Sequence, residues 1–180
     1  SLFAPADIEV VVAQCRTEDD VIRHAQGCSA ILLQYAPITA RVLAALPELG
    51  IVSRIGAGYD TVDTDACEKA GVWVANSPDY GVGEVATHAL ALALAGLRNV
   101  VAYDRDIRQG TWYFMSSGKL VRPSLLTLGI VGLGRIGKRM AHISRNVFGR
   151  VVASDPYLID GDFPAYVERG NLEEVFAQAD

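Results

Sequence analysis

Cysteine is scarce in this chain: three in 180 residues, Cys15, Cys28 and Cys67, an odd number with no C-x-x-C spacing. Neither a disulfide framework nor a zinc cluster is indicated, and a reducing cytoplasm is the expected location. The three histidines, His24, His88 and His142, lie far apart in sequence and read as structural; only His24 and Cys28 share a helical-turn spacing. Positive charge is also in short supply, with 16 Lys and Arg against 21 Asp and Glu for a net charge of -5. Nothing electrostatic favours nucleic acid or an anionic membrane surface. The longest apolar run, Val85 to Leu97, contains Thr87 and His88 and is too short to span a bilayer. The first residues lack the charged region and cleavage pattern of a secretory leader, and repeats and low-complexity tracts are missing.

What the chain does have is apolar substance, 51% of its residues, in alternating short segments. Ile8–Ala13, Ala30–Leu33, Ile51–Ile55 and Val72–Val74 read as strands separated by helix-like stretches, which implies an α/β fold with parallel sheets. Thr17 with Asp20 reads as a cap for a helix to about Ala25, and Thr39 as a cap for one to Leu46. One long helix is expected from about Gly83 to Gln109, ending at Gly110, with its apolar half buried between layers. The Ser116-Ser117-Gly118 and Arg122-Pro123-Ser124 segments mark a loop. The domain boundary is therefore placed so that 1–110 forms a first lobe with the long helix, and 111–180 a second. Trp73 is assigned to the core, whereas Tyr80, after the Ser77-Pro78 turn, is given the better chance of facing a cleft.

The second lobe opens with Thr127-Leu-Gly-Ile-Val-Gly-Leu-Gly-Arg-Ile-Gly137, followed eighteen positions later by Asp155. A G-x-G-x-x-G alone could be a glycine-rich corner in any α/β protein, but here strand, helix and distal acid accompany it. Leu128–Val131 reads as a buried strand and Gly132 as the tight turn. Gly134 would let a pyrophosphate approach the backbone, and Gly137 would let the helix pack close to the strand. Ile136, Met140, Ile143 and Val147 form its sheet-facing stripe. Val151–Ala153 then delivers Asp155, whose alternative reading is a strand-end acid before a turn, to the adenosine ribose hydroxyls. A carboxylate there repels a 2′-phosphate, so NAD is expected over NADP. Cofactor contacts are assigned to Gly132, Leu133, Gly134, Arg135, Ile136, Gly137 and Asp155. Only two strands of this lobe precede a last helix from Leu172 to Ala179, capped by Asn171, so the lobe is expected to be incomplete.

Four blocks in order, Arg54–Asp63, Gly71–Pro78, Val85–Leu90 and the fingerprint with Asp155–Leu158, resemble the D-isomer-specific 2-hydroxyacid dehydrogenases. The Asp-Pro-Tyr-Leu-Ile-Asp-Gly stretch is similar to the phosphoglycerate dehydrogenase and C-terminal binding protein branches. The resemblance implies two doubly wound parallel-sheet lobes, a flavodoxin-like substrate lobe and a Rossmann-like NAD lobe, with a cleft between them and assembly as a homodimer. It implies hydride transfer between NAD(H) and a small 2-oxo or 2-hydroxy acid; no metal is expected, from the cysteine and histidine spacing alone.

The Gly56-Ala57-Gly58 turn reads either as a plain tight turn or as a concavity of backbone N–H groups suited to a carboxylate. The resemblance selects the second: Ala57 and Gly58 would bind the substrate carboxylate, with Arg54 as charge partner. Val85, which alone would read as core, would meet the nicotinamide. The family's acid-base His, activating Glu and carboxylate-binding Arg fall after Asp180, so no catalytic residue is assigned and His88 is declined. The chain by itself is then expected to bind NAD weakly and not to catalyse. The competing reading is a non-catalytic NAD(H)-sensing interaction protein of the C-terminal binding protein type; an enzyme of the same layout with different chemistry fits the Gly56–Asp63 block less well.

Overall fold

The structure, a computed structural model, describes residues 8–180. By packing, the chain divides between Tyr80 and Gly81 into two compact units, each with its own parallel sheet.

In the first unit, strands β1 (Ala30–Leu33), β2 (Ile51–Arg54) and β3 (Trp73–Ala75) lie in that order, with Ala30 opposite Ile51 and Ile51 opposite Trp73. Helix α1 (Glu18–His24) precedes β1, α2 (Ala40–Ala45) links β1 to β2, and α3 (Thr64–Ala70) links β2 to β3. Each helix starts where a short polar side chain can satisfy its free N–H groups. Thr17 and Asp20 form a reciprocal capping box, Thr39 accepts from Val42 N, and Asp63 accepts from Ala66 N. The core gathers Val21, Leu33, Ile38, Val42, Val52, Val62, Cys67 and Val72.

Two expectations for this unit do not hold. Ile8–Ala13 forms no strand, and its apolar side chains are exposed. A strand is made by its neighbour, and none of the described strands runs beside it. Trp73 is 77% exposed rather than core. Side chains alternate across a strand, and in β3 it is Val74 that packs against the core, leaving Trp73 and Ala75 on the outer side.

In the second unit, β4 (Thr127–Val131), β5 (Arg150–Ser154) and the short β6 (Glu168–Arg169) are parallel in that order. The sequence does not announce β6. Two charged residues pair beside Val152 and Ala153, and Arg150 forks onto the Glu168 carboxylate and onto Gln178. Helix α6 (Arg135–Ser144) links β4 to β5, and α7 (Leu172–Gln178), capped by Asn171 as expected, follows β6.

The expected single helix is two: α4 (Val82–Leu97) and α5 (Val100–Arg108), bent by 56°. The bend sits at Asn99, the one non-glycine residue among those described with a positive φ, 50°. Asn tolerates this left-handed conformation better than most residues, and here its amide also donates to Ser117 O at 2.7 Å. Neither helix is buried all round: within α4 only Ala86 is fully covered. Ala86 lies among Ile130, Leu133, Met140, Ala141, Val151 and Ala153, so α4 belongs by packing to the second unit rather than to the first lobe where the boundary at 110 had placed it. Of the α6 stripe, Met140 is buried and Ile143 packs against the core, but Ile136 is exposed and Val147 falls beyond the helix end. Among the described residues no single helix is long and apolar enough to cross a membrane.

Candidate functional site

Two groups of backbone donors stand out, one in each unit. In the second unit, β4 runs out at Val131 and the chain turns at Gly132, whose φ of +88° favours glycine. Gly132 N–H donates to Ser154 O at 2.8 Å, and Leu133 N–H donates to Asp155 Oδ2 at 2.8 Å. The other oxygen, Oδ1, accepts from Tyr157 N–H at 2.9 Å. Leu133 points its side chain inward, 0% exposed. Gly134 is then the N-cap of α6, with no side chain capping the helix. The two following glycine positions differ in kind. A Cβ on Gly137 would lie 2.1 Å from Gly132 O, so the helix can approach the turn only without one. A Cβ on Gly134 would meet nothing, so the space beside it is open. Arg135 and Ile136 open the first turn of the helix.

An uncapped helix start presents N–H groups and the positive end of the peptide dipoles, and open space beside a glycine lets an anion reach them. With Asp155 at the end of the adjacent strand, this donor set fits a dinucleotide: pyrophosphate over Gly134 and the α6 terminus, ribose hydroxyls toward the carboxylate. Val85, in the first turn of α4, is exposed.

In the first unit, Gly56 follows β2 with φ +135° and is covered. A Cβ there would coincide with the Arg54 guanidinium, 1.4 Å from Nη1, which folds back to donate to Ile55 O at 2.8 Å. The same guanidinium lies 5.8 Å from the centroid of the Tyr35 ring. The turn is pinned by its carbonyls: Gly56 O accepts from Ser77 N–H at 2.9 Å, and Ala57 O accepts from Asn76 Nδ2 at 2.8 Å. The N–H groups of Ala57 and Gly58 make no hydrogen bond among the described residues. Arg54, Ala57 and Gly58 thus come together at the carboxyl end of the sheet, where ligands of parallel α/β proteins bind.

Asn76, Ser77 and Tyr35 complete this end and were not assigned from the sequence. Asn76 sits in a block that resembles the family, but its tie to Ala57, nineteen positions away, carries no local signal. None of the histidines joins either group: His24 and His88 are exposed, and the His142 ring packs edge-on to Tyr166 at 6.3 Å. No group of three or more His, Cys, Asp or Glu side chains among the described residues is arranged to hold a metal.

Residues 2–179 match the model of the D-isomer specific 2-hydroxyacid dehydrogenase catalytic domain. The chain belongs to this family. It is 39% identical over 165 residues to D-3-phosphoglycerate dehydrogenase of Mycobacterium tuberculosis, covering 90% of this chain and 31% of that protein. Against glyoxylate reductase of Korarchaeum cryptofilum it is 36% identical over 141 residues, covering 75% of this chain and 42% of the relative. Among solved structures, D-2-hydroxyisocaproate dehydrogenase superposes with a TM-score of 0.75 at 27% identity, covering 91% of this chain and 50% of that one. D-Lactate dehydrogenase from Aquifex aeolicus, complexed with NAD and lactic acid, gives a TM-score of 0.79 at 24% identity over 88% of this chain and 48% of that one, a likeness of fold. The chain spans about a third of the length of the phosphoglycerate dehydrogenase and about half of these solved dehydrogenases.

Proposed function

We propose that this chain is the part of an NAD(H)-dependent D-2-hydroxyacid dehydrogenase that grips the substrate carboxylate and the cofactor. The parent reaction interconverts a small 2-oxo acid and a D-2-hydroxy acid. The observation that carries the reading is the corner at Gly132–Gly137, an uncapped helix start beside open space with the Asp155 carboxylate just past the end of the neighbouring strand. The unit up to Tyr80 serves the substrate and the unit from Gly81 the cofactor.

Bound there, the nicotinamide would supply or accept the hydride. The chain's own residues bind and orient. Ala57 and Gly58 N–H groups receive the substrate carboxylate, Arg54 adds positive charge, and Asn76 with Ser77 keep the turn from rotating its donors away. Asp155 favours a free ribose 2′-hydroxyl and disfavours a 2′-phosphate. Val85 is assigned to the nicotinamide side. His24, His88 and His142 join neither donor group, so none of them is assigned the proton exchange at the substrate oxygen.

Titration of the chain with NADH and NADPH, followed by nicotinamide fluorescence and calorimetry, tests the reading. NADH should bind measurably and at least about tenfold more tightly than NADPH, the scale of one charge-assisted hydrogen bond gained or lost. Equal affinity, a preference for NADPH, or silence from both cofactors at millimolar concentration would each overturn it.

We also assign the parent a homodimeric state. Trp112 and Phe114, 88% and 77% exposed, and Val100 and Val101 of α5 give the second unit an apolar surface that a second copy would cover.

A further inference from the structure

Both oxygens of the Asp155 carboxylate accept hydrogen bonds from the backbone. Oδ2 takes the Leu133 N–H at 2.8 Å, twenty-two positions back along the chain, and Oδ1 takes the Tyr157 N–H at 2.9 Å. One residue earlier on each side, Gly132 N–H donates to Ser154 O at 2.8 Å. Two consecutive N–H groups of the glycine turn are therefore tied to two consecutive residues leaving β5. Below them the Leu133 side chain is fully buried in the core of the unit.

This divides the turn into two parts. Leu133, assigned from the sequence to the cofactor, has its N–H committed and its side chain inside. The anion-facing donors begin after it, at Gly134 and the uncapped start of α6. The place where those donors point is fixed by the residue before them.

We propose that Asp155 is a positioning residue for the phosphate-binding turn, holding Gly132–Gly134 against β5 through the Leu133 N–H, in addition to any contact with a ribose. The proposal rests on the dinucleotide reading above, but the latch itself needs no ligand. Each carboxylate oxygen can accept hydrogen bonds from two donors, so the same group can hold the turn and still receive a hydroxyl. Replacing Asp155 to admit a 2′-phosphate would then also loosen the turn that binds the pyrophosphate.

The test uses the isotope-labelled 180-residue chain without cofactor, comparing wild type with Asp155→Ala and Asp155→Asn after dispersed amide spectra show that each variant folds. Amide exchange at Leu133 should be slow in the wild type and at least about tenfold faster in Asp155→Ala. In Asp155→Asn, whose side chain keeps only one acceptor oxygen, either Leu133 or Tyr157 should stay slow while the other speeds up. Titration with inorganic pyrophosphate adds a readout whose sign separates the causes. Removing a negative charge should by Coulomb's law alone strengthen anion binding, whereas loss of the latch should weaken it several-fold.

Unchanged Leu133 exchange in both variants, or tighter pyrophosphate binding in Asp155→Ala, would overturn the proposal. Loss of Leu133 protection in a chain whose wild type ignores both pyrophosphate and NADH would uphold the latch and remove the cofactor reading instead.

Discussion

Gly134 and Gly137 stand three residues apart and are glycine for opposite reasons. At 137 the obstacle is the protein itself, Gly132 O at 2.1 Å from where a Cβ would be; at 134 nothing of the protein is near. Gly137→Ala should therefore lower stability by about 1–3 kcal/mol, the usual scale of forcing a methyl into a packed contact. Gly134→Ala should cost under about 1 kcal/mol, the scale of an altered N-cap, yet weaken NADH binding at least tenfold. Urea denaturation beside cofactor titration checks the pair; equal damage to stability from both would sink the distinction. These positions were legible because each requirement of the corner follows the last within a few residues. Asn76 was not, because its job is to hold a carbonyl on a different loop.

At the scale of elements, helix starts were read well and helix interiors poorly. A cap is a local hydrogen bond between near neighbours, as Thr17, Thr39 and Asn171 each show. The bend at Asn99 and the exposure of Trp73 depend instead on what lies across space. The same holds for β6, whose Glu168 and Arg169 become a strand only because β5 is beside them.

The cap of α1 also has a pH signature. Hydrogen bonds from the Thr17 side chain, then from Arg16 and Thr17 N–H, hold Asp20 below the ordinary carboxylate range; pairing with Arg41 and then Thr39 does the same for Glu18. A folded-state pKa below the unfolded one means stabilisation that is complete above the ordinary carboxylate value near about 4 and disappears as pH falls through the depressed folded value. The thermal midpoint should fall on acidification through that window, and Asp20→Asn with Glu18→Gln should flatten the fall. A double variant that loses stability with acid as steeply as the wild type would remove these two groups from the account.

For the whole molecule, α5 leaves α4 at a left-handed residue, Asn99. Asn99, at its start, and Tyr103 direct their polar groups to backbone carbonyls of the 114–117 segment, and Asp106 accepts from the Ser117 hydroxyl. The segment so held carries Trp112, Tyr113, Phe114 and Met115 outward. If a second copy covers this surface, Trp112→Ser with Phe114→Ser should raise the dimer dissociation constant by at least about thirtyfold, the effect of removing buried aromatic anchors. Sedimentation velocity across a dilution series reads this directly, and a wild type that stays monomeric at high concentration would dispose of the proposed dimer.

The two hydrophobic cores share no residue: one draws on Val21 to Val72, the other on Ala86 to Val167. Stability effects that have no partners in common add rather than couple. The first unit can thus accumulate changes around Tyr35, Arg54 and Asn76 while the glycine turn and Asp155 draw their support from a separate set of side chains. In evolutionary terms the two units can drift separately, and a change accepted in one need not be answered by a change in the other.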